Sequence, residues 1–151
     1  MGVLTQAFVA DPDEIALFEG GPESPDGLLK GLDDIKLSAL GQLLLEGELD
    51  LSDEASYGTT YDELVKEFDE SMHSYSSGEE WAFLVPARLT GALAYLAEDR
   101  LPGLAETWSR TEEFELDQMD AEDGLDYLRE LRAQATAAQN ADKQLYLWMS
   151  L

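Results

Sequence analysis

The only histidine in the sequence, His73, stands in a serine-rich stretch with Ser71, Ser74, Ser76 and Ser77. A serine nucleophile needs a general base within hydrogen-bond reach, and in this stretch only His73 could act as that base. None of these serines, however, lies in the G-x-S-x-G turn that presents a nucleophile between a strand and a helix. We therefore interpret His73 as a solvent-exposed loop residue and expect no serine hydrolase chemistry.

The residue types give little support to a metal or cofactor site. One histidine and no cysteine are too few for a zinc site. If Asp117–Glu130 is placed on the EF-hand frame, Met119 and Ala121 take the first and third ligand positions, where neither can bind calcium. Gly20-Gly21-Pro22 lacks both glycine-rich phosphate-binding patterns. We predict no cofactor and no metal.

Carboxylates are the abundant reactive group, because the chain has 33 aspartate and glutamate residues. Two of them could act as acid and base in glycoside hydrolysis, provided that burial raises the pKa of one. Glu112 and Glu113 are the strongest candidates, because Trp108 and Phe114 beside them could exclude water. The alternative is that both are exposed glutamates at the end of a helix.

The same carboxylates give the chain a formal net charge of −24, with only nine lysine and arginine residues. This charge disfavours nucleic acid and anionic membranes as ligands, because both are bound through cationic side chains. It favours a basic protein partner, or an inhibitor that mimics the charge of nucleic acid. The alternative is a solvated acidic surface, typical of a salt-rich or generally acidic proteome.

Two tyrosines, Tyr57 and Tyr75, lie in polar loops, where an exposed aromatic ring can anchor a partner. Three acidic loops are expected to meet a basic partner: Glu46–Glu54, Asp69–Glu80 and Glu112–Asp123. The candidate partner surface consists of Tyr57, Tyr75, Glu79, Glu80, Glu112, Glu113, Asp117 and Asp120.

A strand is predicted at each end of the sequence. Apolar and polar residues alternate from Gln144, with Leu145, Leu147, Met149 and Leu151 on one side, which is the pattern of a strand with one buried face. We predict that it is the central strand of the only sheet; the alternative is a strand at the sheet edge. Val3–Ala10 alternates more weakly and predicts the first strand.

Helical patterns fill most of the sequence between these strands. Asp11 and Glu14 predict a capping box that opens a short helix, and Thr60 and Glu63 predict a second box. Leucine stripes and caps predict helices at about 33–46, from Thr60, after Pro86, from Leu101 and over Ala121–Asn140. Three connectors are expected, of which the second is the most flexible: Glu48–Gly58, Ser71–Glu80 and Thr111–Met119. Trp81–Val85 is a short strand or the lead-in to the next helix.

The length of 151 residues predicts one α+β domain spanning 1–151. In it, a single small sheet that includes the N- and C-terminal strands packs against about six helices. No apolar run is long enough to span a membrane, and the first residues lack the pattern of a signal peptide. The predicted location is therefore the cytoplasm, and the sequence leaves the oligomeric state open.

Three stretches together resemble the YfbM-like family, a bacterial domain family of unknown function. They are Met1–Leu4 running into Asp11–Glu14, Leu32–Leu40 continuing through Leu43–Gly47, and Leu84–Leu96 followed by Leu125–Leu151. In that family the second stretch often carries a tryptophan and a histidine, whereas Leu37 and Gly41 stand in the matching region here. The resemblance implies a cytoplasmic α+β fold and no established activity.

Two functional hypotheses follow from the sequence. The first is a small non-enzymatic protein that binds a basic partner, for example as an inhibitor or an immunity-type protein. The second is a carboxylate-dependent hydrolase of a small neutral or cationic substrate. That hydrolase would need a pocket with two convergent acids, one of them shielded from water.

Overall fold

A computed structural model describes residues 4–22, 27–53 and 56–151. The described chain is α+β, as predicted, and its strands form one antiparallel sheet. The strands are β1 (Leu4–Ala10), β2 (His73–Ser74), β3 (Glu80–Leu84) and β4 (Gln144–Ser150). Their order across the sheet is β1-β4-β3-β2. The prediction for Val3 concerns a residue outside the described ranges.

The predicted central position of β4 is confirmed. Ala10 of β1 pairs with Gln144 on one side of it, and Leu84 of β3 pairs with Tyr146 on the other. Its side chains alternate as expected, but both sheet faces are buried, because Tyr146 and Trp148 pack in a second apolar cluster. The prediction that Leu151 is buried is wrong. It lies beyond the last strand pair and is 74% exposed.

The outer edge of β1 is covered by a short segment. The Ala7 N–H donates to the Gly27 carbonyl at 2.8 Å, and the Leu29 N–H donates to the Thr5 carbonyl at 2.9 Å. Gly27 has a φ of +83°, and a Cβ there would lie 2.2 Å from the Ala7 carbonyl oxygen. Glycine is therefore required for this approach, which occupies backbone groups that an edge strand would otherwise expose.

The described α-helices cover one face of the sheet, and the 3-10 segment Pro12–Phe18 packs on the other. The α-helices are α1 (Asp34–Glu46), α2 (Thr59–Ser71), α3 (Ala87–Ala94), α4 (Leu101–Trp108), α5 (Glu112–Leu116) and α6 (Ala121–Ala141), and Pro12–Phe18 and Glu98–Arg100 are 3-10 segments. Leu37, Leu89, Trp108 and Leu131 from four of these helices pack in the main core with Leu147 of β4. In the described residues, no helix has the length and apolar character needed to cross a membrane.

The helix ends follow the sequence signals at most positions. The Asp33 carboxylate accepts the Lys36 N–H at the start of α1, and Gly47 ends that helix with a φ of +83°. The capping box at Asp11 and Glu14 is present, although it opens a 3-10 segment. The box predicted at Thr60 is wrong. Helix α2 begins at Thr59 with Gly58 as its N-cap, and the Thr60 hydroxyl instead donates to Glu46 at 2.7 Å.

Two predicted loops contain regular structure. The stretch Ser71–Glu80, expected to be flexible, forms a hairpin in which His73 pairs with Ala82. His73 is therefore a half-buried strand residue, and its ring lies 4.8 Å from the Tyr75 ring. The connector predicted at Thr111–Met119 contains α5, because Phe114 is buried in the main core. Trp81–Val85 is largely strand, as one of the two interpretations had it.

Candidate functional site

Tyr57 is buried where two acidic segments meet, and we call its contact with Glu112 and Glu113 the joint. Its side chain is only 4% exposed, so the prediction that it is an exposed anchor for a partner is wrong. The hydroxyl donates to Oε2 of Glu113 at 2.8 Å and accepts the Glu112 N–H at 3.1 Å. Its ring meets the Tyr61 ring edge-on, with centroids 5.1 Å apart. Tyr57 therefore fastens the loop between α1 and α2 to the start of α5.

The two tyrosines at this joint are held in their neutral form. Burial raises the pKa of the Tyr57 phenol, and the adjacent Glu113 carboxylate also opposes its ionisation. Burial, with the charges of Glu113 and Asp62, raises the pKa of Tyr61 to about 12. The Tyr57 hydroxyl therefore stays a hydrogen-bond donor to Glu113 throughout the physiological pH range.

Lys36 is a buried cation that joins α1 to the segment after α5. Its side chain is 1% exposed. The ammonium group donates to the Gly31 carbonyl at 2.9 Å and to the Asp117 carboxylate, and a second carboxylate, that of Asp33, lies 3.5 Å away. The Trp108 indole donates to the Lys36 carbonyl at 2.8 Å. The buried lysine thus contacts oxygens from the segment before α1 and from the end of α5.

The two acidic segments form one continuous surface, which we call the acidic face: residues 46–53, 56–63 and 112–123. Neither 46–63 nor 112–123 contains a lysine or an arginine. Asp117 of this face forms an ion pair with the buried Lys36. The cations that border it in sequence, Lys66 and Arg110, pair with Glu70 and Glu106, each four residues away.

An open cavity of about 700 Å³ lies in the acidic face, between the end of α1 and the start of α2. Its lining includes four exposed carboxylates, Glu46, Glu48, Asp50 and Glu63. Hydrogen bonds from the Ser52 hydroxyl and N–H lower the pKa of Asp50. The floor is fixed by Gln42, which donates to the Glu48 carbonyl at 3.2 Å and accepts the Tyr61 N–H at 2.9 Å.

These carboxylates are spread around the cavity rather than gathered on one point. Across residues 4–22, 27–53 and 56–151, no group of three or more acidic, histidine or cysteine side chains is placed to hold a metal ion. The arrangement presents negative charge over a broad surface, which suits a cationic surface better than a single small ion.

Tyr75, Glu79 and Glu80 of the candidate partner surface lie elsewhere, in and beside the hairpin of β2 and β3. Tyr75 is only 5% exposed and donates to the Ile15 carbonyl at 2.8 Å, so its prediction as an exposed anchor is also wrong. Glu80 accepts the Trp148 indole N–H at 3.1 Å and the Gly20 N–H at 2.6 Å. Glu79 is exposed. The hydrogen-bond partners of Tyr75 and Glu80 thus lie in the N-terminal segment and in β4, whereas Asp117 and Asp120 lie in the acidic face.

Glu113 and Glu112 differ in their surroundings. The aromatic rings expected to exclude water from them, Trp108 and Phe114, are fully buried and 4.9 Å apart, pointing into the core. Glu113 is half-buried and bound to Tyr57, while Glu112 is exposed, as the alternative interpretation held. Their positions serve the joint at Tyr57 rather than a pair of carboxylates aimed at a common substrate atom.

One carboxyl with a raised pKa was not identified from the sequence. Burial, together with the neighbouring charges of Asp33 and Asp69, raises the pKa of Asp34, in the first turn of α1, to about 6. Asp34 does not line the cavity in the acidic face. The local sequence shows only two adjacent acids at a helix start, and Asp69 comes beside them through the packing of α2 against α1.

No match is found when the chain is compared with family models, with curated proteins and with solved structures. The resemblance to the YfbM-like family therefore stays a prediction from sequence motifs.

The contact between Tyr57 and Glu113 is expected to contribute to the stability of the fold. Replacing Tyr57 by phenylalanine removes a donor to a half-buried carboxylate, and we expect a loss of about 1 kcal/mol in the free energy of unfolding. Urea unfolding of the Tyr57→Phe variant measures it. Tyr95→Phe is the matched control, because the Tyr95 ring is 85% exposed and its replacement should change nothing. Equal stability of both variants would show that the Glu113 contact does not hold the joint.

Proposed function

We propose that the protein binds a basic protein partner through the acidic face. The observation that supports this most is the segregation of charge. Two segments without lysine or arginine meet at the contact between Tyr57 and Glu113, and the lysine that pairs with Asp117 is buried. Exposed carboxylates such as Glu48 and Glu115 therefore lie in segments without a cation, whereas Glu67 elsewhere pairs with Arg88.

The negative charge of the acidic face affects how the protein associates with a cationic partner. Fields from neighbouring carboxylates add, so that a cationic protein is drawn toward the face and oriented before contact. Because the charges are exposed, salt screens this attraction over about 10 Å at 0.1 M ionic strength. One form of this function is an inhibitor or immunity-type protein that occupies the basic groove in which its target holds phosphate groups.

Binding is favoured over the hydrolase alternative by the state of the cavity carboxylates. A general acid needs a pKa raised by burial. The four carboxylates that line the cavity are exposed, and hydrogen bonding moves the pKa of Asp50 in the opposite direction. Asp34 has a pKa raised to about 6, but it does not line the cavity.

The proposal is tested with two triple variants of equal charge. The face variant carries Glu48→Gln, Glu112→Gln and Glu115→Gln. The control carries Asp13→Asn, Glu79→Gln and Asp99→Asn, which are exposed acids away from the acidic face. Cytochrome c serves as a rigid basic probe, and titration calorimetry in dilute buffer gives the affinity. We expect the face variant to bind about tenfold more weakly and the control to bind much as the unmodified protein does.

Two results would count against the proposal. Equal losses in both triple variants would mean that the probe responds to total charge and not to the acidic face. No binding to the unmodified protein in dilute buffer would remove the proposal altogether. Adaptation of the whole surface to salt makes a separate prediction, a large rise in melting temperature between dilute and molar salt that the face and control variants reduce equally.

A further inference from the structure

We infer that Lys36 is a positioning residue of the acidic face, which holds the carboxylates that follow α5 in place for a partner. This inference rests on the proposed function and names the residue that orders its surface. It begins from an unusual placement. Lysine is rarely found fully buried, and here the cation lies under the most acidic part of the molecule with 1% of its side chain exposed.

The contacts of Lys36 link the segment that leads into α1 with the end of α5. The ammonium group binds the Gly31 carbonyl before α1, the Asp33 carboxylate at the N-cap of α1 and the Asp117 carboxylate at the end of α5. Asp117 follows a helix of five residues, too short to be stable without tertiary contacts. The ion pair is therefore the polar contact that fixes the end of α5 against α1.

Stability alone does not explain the burial of Lys36. Removing its ammonium group from water costs much of what its attraction to the half-exposed Asp117 carboxylate returns, and apolar replacements are often as stable. What the ion pair does is fix a position. Because the Lys36 ammonium group contacts three oxygens, the backbone near Asp117 can occupy only a narrow range of positions. That backbone continues through Met119, whose N–H donates to the Phe114 carbonyl at 2.8 Å, to Asp120 at the start of α6.

The inference makes a prediction whose sign is opposite to that of simple electrostatics. Replacing Lys36 by methionine makes the protein more negative, so charge alone predicts tighter binding of a basic partner. If Lys36 orders the face, binding should instead weaken, because carboxylates that move lose their fixed match to a rigid partner. The exposed neighbour Lys30 supplies the control, since Lys30→Met makes the same change of charge without removing a buried contact.

The experiment measures cytochrome c binding by the full chain in dilute buffer. We expect Lys36→Met to bind roughly threefold to tenfold more weakly and Lys30→Met to bind up to about twofold more tightly. A second pair covers the case in which Lys36→Met does not fold. Asp117→Asn and Glu115→Gln each remove one negative charge near the end of α5, but only Asp117 contacts Lys36. The asparagine variant should lose more affinity.

Amide hydrogen exchange gives a readout that needs no partner. In Lys36→Met, or in Asp117→Asn if the first variant is unfolded, the amides of residues 117–120 should exchange faster, while those of β4 stay protected. Faster exchange with no binding of cytochrome c by the unmodified protein would overturn the proposed function and leave the ordering role of Lys36 standing. Tighter binding by Lys36→Met, or unchanged exchange at 117–120, would overturn the inference itself.

Discussion

Deletion of Tyr146–Leu151 is expected to abolish the cooperative thermal unfolding transition. The deleted residues include four buried side chains, Tyr146, Leu147, Trp148 and Met149. Burial of each is worth roughly 1.5–3 kcal/mol, and their sum approaches the net stability of a whole domain, about 5–15 kcal/mol. The deletion also removes most of β4, so that β1 and β3 lose the strand between them.

Circular dichroism at 222 nm and differential scanning calorimetry measure the outcome of the deletion. Helical signal is expected to persist in part, because the helices lie outside the deleted segment, but it should fade gradually on heating without a heat-absorption peak. Deletion of Leu151 alone is the control and should change the melting temperature little, because its side chain is exposed and only its N–H makes a contact, with the Glu79 carbonyl. A sharp transition in the longer deletion would show that the core does not depend on β4.

Replacement of Asp34 by asparagine is expected to stabilise the protein at neutral pH. Burial and the charges of Asp33 and Asp69 raise the folded-state pKa of Asp34 to about 6, against about 3.9 for an unperturbed aspartate. Above pH 6 the folded protein must keep an ionised carboxylate where the charge is unfavourable. Between pH 6 and pH 4 this cost fades, because the carboxyl becomes protonated in the folded state first.

The expected size of the effect follows from the pKa difference. Two pKa units correspond to roughly 3 kcal/mol, and solvent screening of a half-buried group reduces this to about 1–2 kcal/mol. Asparagine keeps an oxygen that can accept the backbone N–H groups of residues 34 and 35, and the N-cap contact of Asp33 is unchanged. At pH 7.5 the melting temperature of Asp34→Asn should therefore rise by roughly 2–8 °C.

The pH dependence separates this effect from a general change of charge. The difference in free energy of unfolding between Asp34→Asn and the unmodified protein should be largest above pH 7 and vanish near pH 4. Asp99→Asn removes an exposed carboxylate and should show no such dependence. A stabilisation of Asp34→Asn that persists unchanged to pH 4 would contradict a raised pKa at this carboxyl.

The sequence predicted the fold well where local periodicity carries the signal. Alternation from Gln144 located β4, and its apolar content indicated a central position. The helical patterns at about 33–46 and over Ala121–Asn140 located α1 and α6, to within about a residue at each end. Where the prediction failed, the deciding contact is distant in sequence. The hairpin at His73 forms because β3 pairs with β4, and no local pattern of apolar residues in Ser71–Glu80 reveals that pairing.

The site was less predictable because it depends on contacts between distant segments. Tyr57 stands among polar residues, and its burial comes from Glu112 and Glu113, which are 55 and 56 residues away. Lys36 is buried by Asp117, 81 residues away. Charge composition indicated an acidic surface. Only the tertiary structure shows that two acidic stretches share one face and that Lys36, which pairs with Asp117, is buried.

The position of β4 between β1 and β3 has a consequence for the folding rate. Its partners are distant in sequence, since Ala10 pairs with Gln144 and Leu84 with Tyr146. The helices between them can form from local contacts within microseconds, whereas joining β1 to β4 requires the closure of a loop that contains most of the chain. Despite its many helices, the molecule should therefore fold on the slow timescale of β proteins, with closure of the sheet as the last step.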